Sequence, residues 1–249
     1  MIFDKLENQR NLKGTQVLAL IDPDVKNDNN FPQIIETVNK SNFDGLLVGG
    51  SKIVDDNFNQ RLSFIKENTD LPIILFPGDS SQISENAEAI LFLSLLSGRN
   101  PKYLIEEQVI SARRINDLKI EVIPTGYLLL KTEKKSAVEL ISNTAPLDMN
   151  NTNNVIDHCL AAQYMGNKLL FLECGSNSDS SVELSLLKQI KNKITIPLMV
   201  GGGIKNKEMA LNLAESGASY LVIGSLIEQT LDFNITLDIN QSVRGLYVS

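Results

Sequence analysis

At 249 residues the chain has the length typical of one (β/α)₈ barrel and can bury a full core. Hydrophobic residues make up 43 % and charged residues 21 %, as in ordinary globular domains, and a net charge of -7 argues against a nucleic-acid or anionic-membrane surface. Two cysteines and one histidine are too few for a disulfide framework or a thiolate zinc site, and no apolar run reaches the roughly 18 residues of a membrane span.

Taken in order, residues 3–13 predict an amphipathic helix with Phe3 and Leu6 facing inward and Leu12 as a third candidate. Residues 15–21 form a first buried strand, closed by Asp22-Pro23-Asp24, and residues 31–42 a helix carrying Ile34, Ile35 and Val38. A second strand at 45–48 ends in Gly49-Gly50-Ser51; a helix at 57–68 and a third strand at 72–76 follow, the strand closed by Pro77-Gly78-Asp79. Only residues 80–88 then separate it from a fourth strand at 89–93, too few for an ordinary covering helix. One side of the fold is therefore expected to lack a helix and to present an open apolar groove.

Asn100-Pro101 starts a helix over 102–116. A fifth strand runs through 120–130, interrupted by Pro124-Thr125-Gly126, and residues 131–150 show weak periodicity and receive no element. A helix at 154–165, a sixth strand at 168–172 and a helix at 182–191 precede the most informative stretch, Ile196 to Ser225. There an apolar strand breaks into Gly201-Gly202-Gly203, a helix-period segment follows, and a last strand at 220–223 ends in Gly224-Ser225 and another short helical pattern.

Eight apolar strands alternating with helices, and no linker, predict a single α/β domain over residues 1–249, a (β/α)₈ TIM barrel with the helix between strands three and four missing or replaced by a short segment. An open doubly wound sheet is disfavoured because no GxGxxG follows the first strand. Glycines at the ends of the last two strands let main-chain N–H groups converge on one oxyanion, helped by the start of a helix, and in such barrels this is the common phosphate site.

Active groups in this fold lie at the C-terminal strand ends, here Asp22, Asp24, Ser51, Asp79, Tyr127, Glu173, the triple glycine and Gly224-Ser225. The set is rich in oxygen and poor in nitrogen and sulfur, which suits Mg²⁺ with a phosphorylated substrate. Asp22 is the leading metal candidate, with a simple turn or cap as the other reading. Glu173 either accepts a proton from a substrate hydroxyl or pairs with a lysine. Tyr127 either hydrogen-bonds substrate or packs. Cys174 reads as a small buried filler, and a catalytic His158–Cys159 pair is disfavoured because neighbours on a helix point apart.

Several segments together resemble the geranylgeranylglyceryl phosphate synthase family, with its heptaprenylglyceryl relatives. They are Leu20-Ile-Asp-Pro-Asp24, Val48-Gly-Gly-Ser51, Leu75-Phe-Pro-Gly78, Phe92-Leu-Ser-Leu-Leu-Ser97 with Asn100-Pro101, and Gly126-Tyr127. Phe171-Leu-Glu-Cys-Gly-Ser176, Val200-Gly-Gly-Gly-Ile204 and Gly217-Ala218 through Gly224-Ser225 complete the series. With no apolar span and no signal-peptide pattern over residues 1–11, a cytoplasmic protein is expected. The resemblance implies a Mg²⁺-dependent prenyltransferase that joins geranylgeranyl diphosphate to the 3-hydroxyl of sn-glycerol 1-phosphate and releases diphosphate. It implies metal binding by Asp22 and Ser51. It places glycerol phosphate on Phe171, Leu172, Glu173, Cys174, Gly175, Ser176, Asn177, Gly202, Gly203, Gly224 and Ser225. Glu173 would orient or deprotonate the hydroxyl, Tyr127 would sit near the glycerol, and Tyr103 would close the groove and favour a C20 over a C35 chain. Relatives commonly form dimers or hexamers, so a homo-oligomer is expected, and an edge of the protein could meet membrane lipid. The family usually shows Tyr-Leu-Glu-Ala-Gly-Ser-Gly, so Phe171 brings no hydroxyl here; Ser225 replaces the more familiar Asn or Thr. The competing readings are a C35 synthase, a barrel isomerase of a phosphorylated metabolite, and a non-catalytic binding protein.

Overall fold

The computed structural model describes residues 1–176 and 178–246, and its eight parallel strands close into a barrel in sequence order. The strands are β1 (Gln16–Ile21), β2 (Gly45–Val48), β3 (Ile73–Leu75), β4 (Ala89–Leu95), β5 (Glu121–Leu129), β6 (Leu169–Glu173), β7 (Leu198–Gly201) and β8 (Tyr220–Ile223). Two-residue alternation divides each strand between two cores. Leu18, Leu47, Ile74, Leu91, Phe171, Met199 and Tyr220 fill the barrel interior. Val17, Leu46, Leu75, Leu170, Leu172, Val200 and Leu221 face the surrounding helices. These side chains are almost entirely buried, so truncating one such leucine to alanine costs about 2–5 kcal/mol.

The helix α1 (Ile2–Lys13) closes the N-terminal end of the barrel. Its first N–H groups donate to the Glu121 carboxylate, satisfying donors that a helix start leaves free. Leu6 plugs the interior, and the Tyr220 hydroxyl donates to Glu7, which Arg10 also holds. Leu12, expected to face inward, is 73 % exposed, because the short inward stripe of this helix ends before it.

The remaining helices are α2 (Phe31–Lys40), α3 (Phe58–Glu67), α4 (Glu107–Leu118), α5 (Ala137–Ser142), α6 (Thr152–Tyr164), α7 (Leu184–Lys191), α8 (Lys207–Glu215), α9 (Ser225–Thr230) and α10 (Phe233–Ser242). The expected gap is present: between β3 and β4 lies a single 3₁₀ turn, Ser80–Gln82, capped by Asp79. The helix expected from residue 102 begins as a π-helical turn, Lys102–Glu106, before α4. Pro124 does not interrupt β5, which pairs continuously with β4 from Glu121 to Tyr127. The unassigned stretch 131–150 contains α5, capped by the Ser136 hydroxyl accepting from the Glu139 N–H.

One guanidinium fixes the two loops that carry the metal candidates. Arg61 of α3, only 6 % exposed, spans Asp28 at 2.5 Å in the loop after β1 and Asp55 at 2.6 Å in the loop after β2. Both carboxyls are held below the usual range by it, Asp55 down to about 2. The Arg61 fork also donates to the Pro23 carbonyl at 3.3 Å, immediately beside Asp22.

Candidate active site

A cavity of about 610 Å³ opens at the C-terminal strand ends and runs down past the gap between β3 and β4. Among the proposed site residues, Asp22, Ser51, Tyr103, Tyr127, Glu173, Gly175, Ser176, Gly202, Gly203, Gly224 and Ser225 line it.

Glu173 is the last residue of β6, and its carboxylate stands at the junction of the polar and apolar parts of this space. It is 7 % exposed, and Oε1 accepts a 2.6 Å hydrogen bond from the Gly175 N–H. Burial raises its carboxyl to about 7, against the lowering effect of that hydrogen bond. No lysine pairs with it, so the structural alternative to a proton acceptor finds no partner among the described residues. Tyr127 is nearly buried beside it; burial first, and the Glu173 charge second, raise its phenol well above the ordinary value. Its ring meets Phe76 edge-on at 5.8 Å, the pair forming the floor, and packs on Phe171 below at 5.3 Å.

Beside Glu173 the triple glycine turns through positive φ, +86° at Gly202 and +73° at Gly203. A Cβ at Gly202 would lie 2.8 Å from the Gly175 carbonyl and 2.9 Å from Glu173 Oε1, and one at Gly203 would collide with the Ser180 carbonyl. Glycine is thus required both by conformation and by the close approach of two loops. The Ser176 and Ser225 hydroxyls, far apart in sequence, come within 3.0 Å of each other across the same hollow. On its rim Asp179 sits between Lys134 at 2.5 Å and Lys205 at 2.8 Å, which hold its carboxyl down to about 2. Glycine N–H groups, two hydroxyls and two lysines make this end suited to a phosphate monoester.

Three proposed contacts do not reach the cavity by side chain. Phe171 lies beneath the floor in the barrel interior, and Leu172 and Cys174 pack into the outer core. Alternation along β6 and past its end turns Leu172 and Cys174 away from Glu173, whereas Phe171 shares its inward face but lies one layer deeper in the barrel. Burial also pushes the Cys174 thiol far up, as expected of a filler. Asn177 lies outside the described residues. His158 and Cys159 sit on α6 away from the cavity, His158 against Arg99 at 3.2 Å and Cys159 fully buried.

Opposite the phosphate end stands Asp22. Its Oδ2 is 2.6 Å from the Lys26 ammonium, while Oδ1 is buried and accepts no hydrogen bond. A Cβ on Gly50 would collide with that oxygen, so the Gly49-Gly50-Ser51 loop is drawn against it. Burial raises the Asp22 carboxyl, partly offset by Lys26. An unsatisfied carboxylate oxygen next to a serine loop fits a hard, oxygen-seeking cation such as Mg²⁺. Among the described residues no group of three or more His, Cys, Asp or Glu gathers for a metal, so substrate oxygens and water would complete its shell. Glu228 of α9 also reaches this corner, accepting from the Asp22 N–H at 3.2 Å and from the Asn27 amide at 3.0 Å. Sequence reading missed Lys26 and Glu228, and for Glu228 no local signal exists, since 206 residues separate it from Asp22.

The lower part of the cavity is apolar, with Ile83, Ile90, Phe92, Leu93, Val138 and Ile141 on its walls. Tyr103, on the π-helical turn, reaches across it, and its hydroxyl donates to the Ile141 carbonyl at 3.5 Å. Gln108 secures that turn by donating to the Leu93 and Tyr103 carbonyls.

A parallel barrel with a buried carboxylate between a glycine-lined hollow and an apolar channel suits an enzyme that handles a phosphorylated polar substrate and a long hydrocarbon. Comparison with known proteins agrees. Residues 10–241 match the PcrB family. The geranylgeranylglyceryl phosphate synthase of Flavobacterium johnsoniae is 39 % identical over 229 residues, covering 92 % of this chain and 93 % of that one. Among solved structures, (S)-3-O-geranylgeranylglyceryl phosphate synthase from Thermoplasma acidophilum, in complex with its substrate sn-glycerol-1-phosphate, superposes with a TM-score of 0.90. It is 33 % identical, with 98 % of each chain covered. The wild-type GGGPS of Thermoplasma volcanium gives 0.92 at 32 % identity, over 100 % of both chains. The chain belongs to the PcrB family and is a prenyltransferase. No described helix is long and apolar enough to cross a membrane.

Proposed function

We propose that this chain joins the geranylgeranyl group of geranylgeranyl diphosphate to the 3-hydroxyl oxygen of sn-glycerol 1-phosphate, with Mg²⁺. The observation that carries the reading is the buried Glu173 carboxylate, placed where the glycine cradle meets the apolar channel. The phosphate of the acceptor rests on Gly202, Gly203, Ser176, Gly224 and Ser225, which leaves its glycerol within reach of Glu173 and Tyr127. The prenyl chain runs down past Phe92 and Val138 to Tyr103. That the barrel has only a 3₁₀ turn between β3 and β4 favours this over an isomerase, which has no use for such a channel.

Chemically, the hydroxyl oxygen forms its bond to C1 of the prenyl group as the C1–O bond to diphosphate breaks, and Glu173 takes the hydroxyl proton. Asp22 and Ser51 would hold Mg²⁺, which when bound neutralises charge developing on the diphosphate. Glu173, raised to about 7, is matched to accept a proton near neutrality.

The test is turnover of labelled glycerol 1-phosphate with C10, C15, C20 and C35 donors in excess Mg²⁺. Product with a C20 optimum, lost with EDTA and in Asp22→Asn, is expected. A C35 optimum would keep the reaction and overturn the chain length; no product with any donor would overturn the function.

A further inference from the structure

Lys26 belongs to the 3₁₀ turn Val25–Asn27 after β1 and lines the cavity with its side chain 55 % exposed. Its ammonium lies 2.6 Å from Asp22 Oδ2 and 4.0 Å from Glu228 Oε2. Glu228 is fixed in place by the Asp22 N–H and the Asn27 amide. Two carboxylates thus share one ammonium at the corner where a diphosphate has to settle, and a second anion would be repelled there unless more positive charge arrives. An ion pair this exposed is weak, and lysine carries its charge on a flexible four-carbon stem. Lys26 can therefore leave Asp22 at small cost and still reach into the same cavity.

We propose that Lys26 is a binding residue for the diphosphate of the prenyl donor, held on Asp22 until a cation takes that carboxylate and then turned toward the phosphate oxygens. The inference rests on Asp22 being the cation's carboxylate. It gives Lys26 opposite effects on two ligands, since the same ammonium competes with the cation and attracts the diphosphate. A lysine that only shaped the loop would move both affinities in one direction.

Full-length wild type and the Lys26→Gln, Lys26→Arg and Asp22→Asn variants separate these readings. Mn²⁺ is the cation probe, followed by electron paramagnetic resonance of the free ion. Inorganic pyrophosphate at saturating Mg²⁺ is the anion probe, followed by calorimetry. Lys26→Gln should bind Mn²⁺ about 2–5-fold more tightly, the scale of a lost exposed ion pair. It should bind pyrophosphate at least about 10-fold more weakly, the scale of a lost charged hydrogen bond, and Lys26→Arg should recover pyrophosphate binding. Asp22→Asn should lose Mn²⁺. If Asp22→Asn loses Mn²⁺ while Lys26→Gln leaves pyrophosphate unchanged, or weakens both ligands, the role of Lys26 falls alone. If Asp22→Asn binds Mn²⁺ as wild type does, the cation site falls and the exchange with it.

Discussion

Replacing Glu173 by Gln keeps the shape of the side chain and an oxygen to accept the Gly175 N–H, but removes a buried carboxylate. Two effects of opposite sign should follow. In turnover, loss of the proton acceptor should lower kcat by about 10²–10⁴, the usual contribution of a general base. In stability, the carboxyl rises from 4.5 to about 7 on folding because burial disfavours its charged form. Between those values the folded chain binds more protons than the unfolded one, so stability falls as pH rises through the window. A rise of that size corresponds to about 3 kcal/mol, an order of magnitude only, carried by wild type at pH 8 and absent at pH 4. Glu173→Gln should therefore be less active yet more stable than wild type at pH 8, with the difference shrinking toward pH 4. Urea unfolding across that range, beside single-turnover rates with labelled glycerol 1-phosphate, reads both quantities. A variant with wild-type turnover, or a stability gap that does not change with pH, would refute the reasoning. The same titration sets the rate profile of the wild type, which should climb through pH 7 as Glu173 loses its proton.

Gly203→Ala forces a side chain into positive φ and against the Ser180 carbonyl. It should raise KM for glycerol 1-phosphate and cost about 1–3 kcal/mol of stability, measured by denaturant titration, and an unchanged KM would count against the phosphate cradle. Tyr103→Ala opens the end of the apolar channel and should move the donor optimum from C20 toward C35. An unmoved optimum in the donor series would remove Tyr103 as the limit.

Barrel topology was legible because eight buried strands announce themselves by apolar runs that turn residues close, as at Leu46-Leu47-Val48-Gly49. The site was legible where chemistry sits at a strand's end, as with Asp22 and Glu173, and where glycine replaces every other residue, as at Gly202 and Gly203. Side-chain direction was harder to read. Leu172 and Cys174 belong to the motif but face the outer core, because only one of every two strand positions can face the site, and Phe171, on the inward face, sits one layer below Glu173. Long-range partners were invisible: Glu228 reaches Asp22 only through the β8–β1 pairing that closes the barrel, and Asp179 reaches Lys134 and Lys205 only because β5, β6 and β7 lie side by side. The helix α5 escaped notice because Ala137–Ser142 is too short to repeat a period, although it delivers Val138 and Ile141 to the cavity. Leu12 misled in the opposite way, continuing an apolar stripe past the surface it covers.

Most outward-facing residues of the barrel pack against a helix belonging to the same chain. Ile90 and Phe92 on β4 line the cavity instead, at the place where the connection from β3 supplies a 3₁₀ turn. On the proposed reading, the hydrocarbon tail of the donor lies where a helix would lie elsewhere in the ring. Substrate would then act as a removable piece of the architecture, joining the wall while bound and leaving it with the product. Because that contact is apolar and lacks directional bonds, it can accept tails differing in length, with the far end decided by whatever side chain stands there. A barrel that surrenders one helix thus acquires a variable slot whose depth can change by single substitutions, while the polar chemistry at its mouth stays as it is.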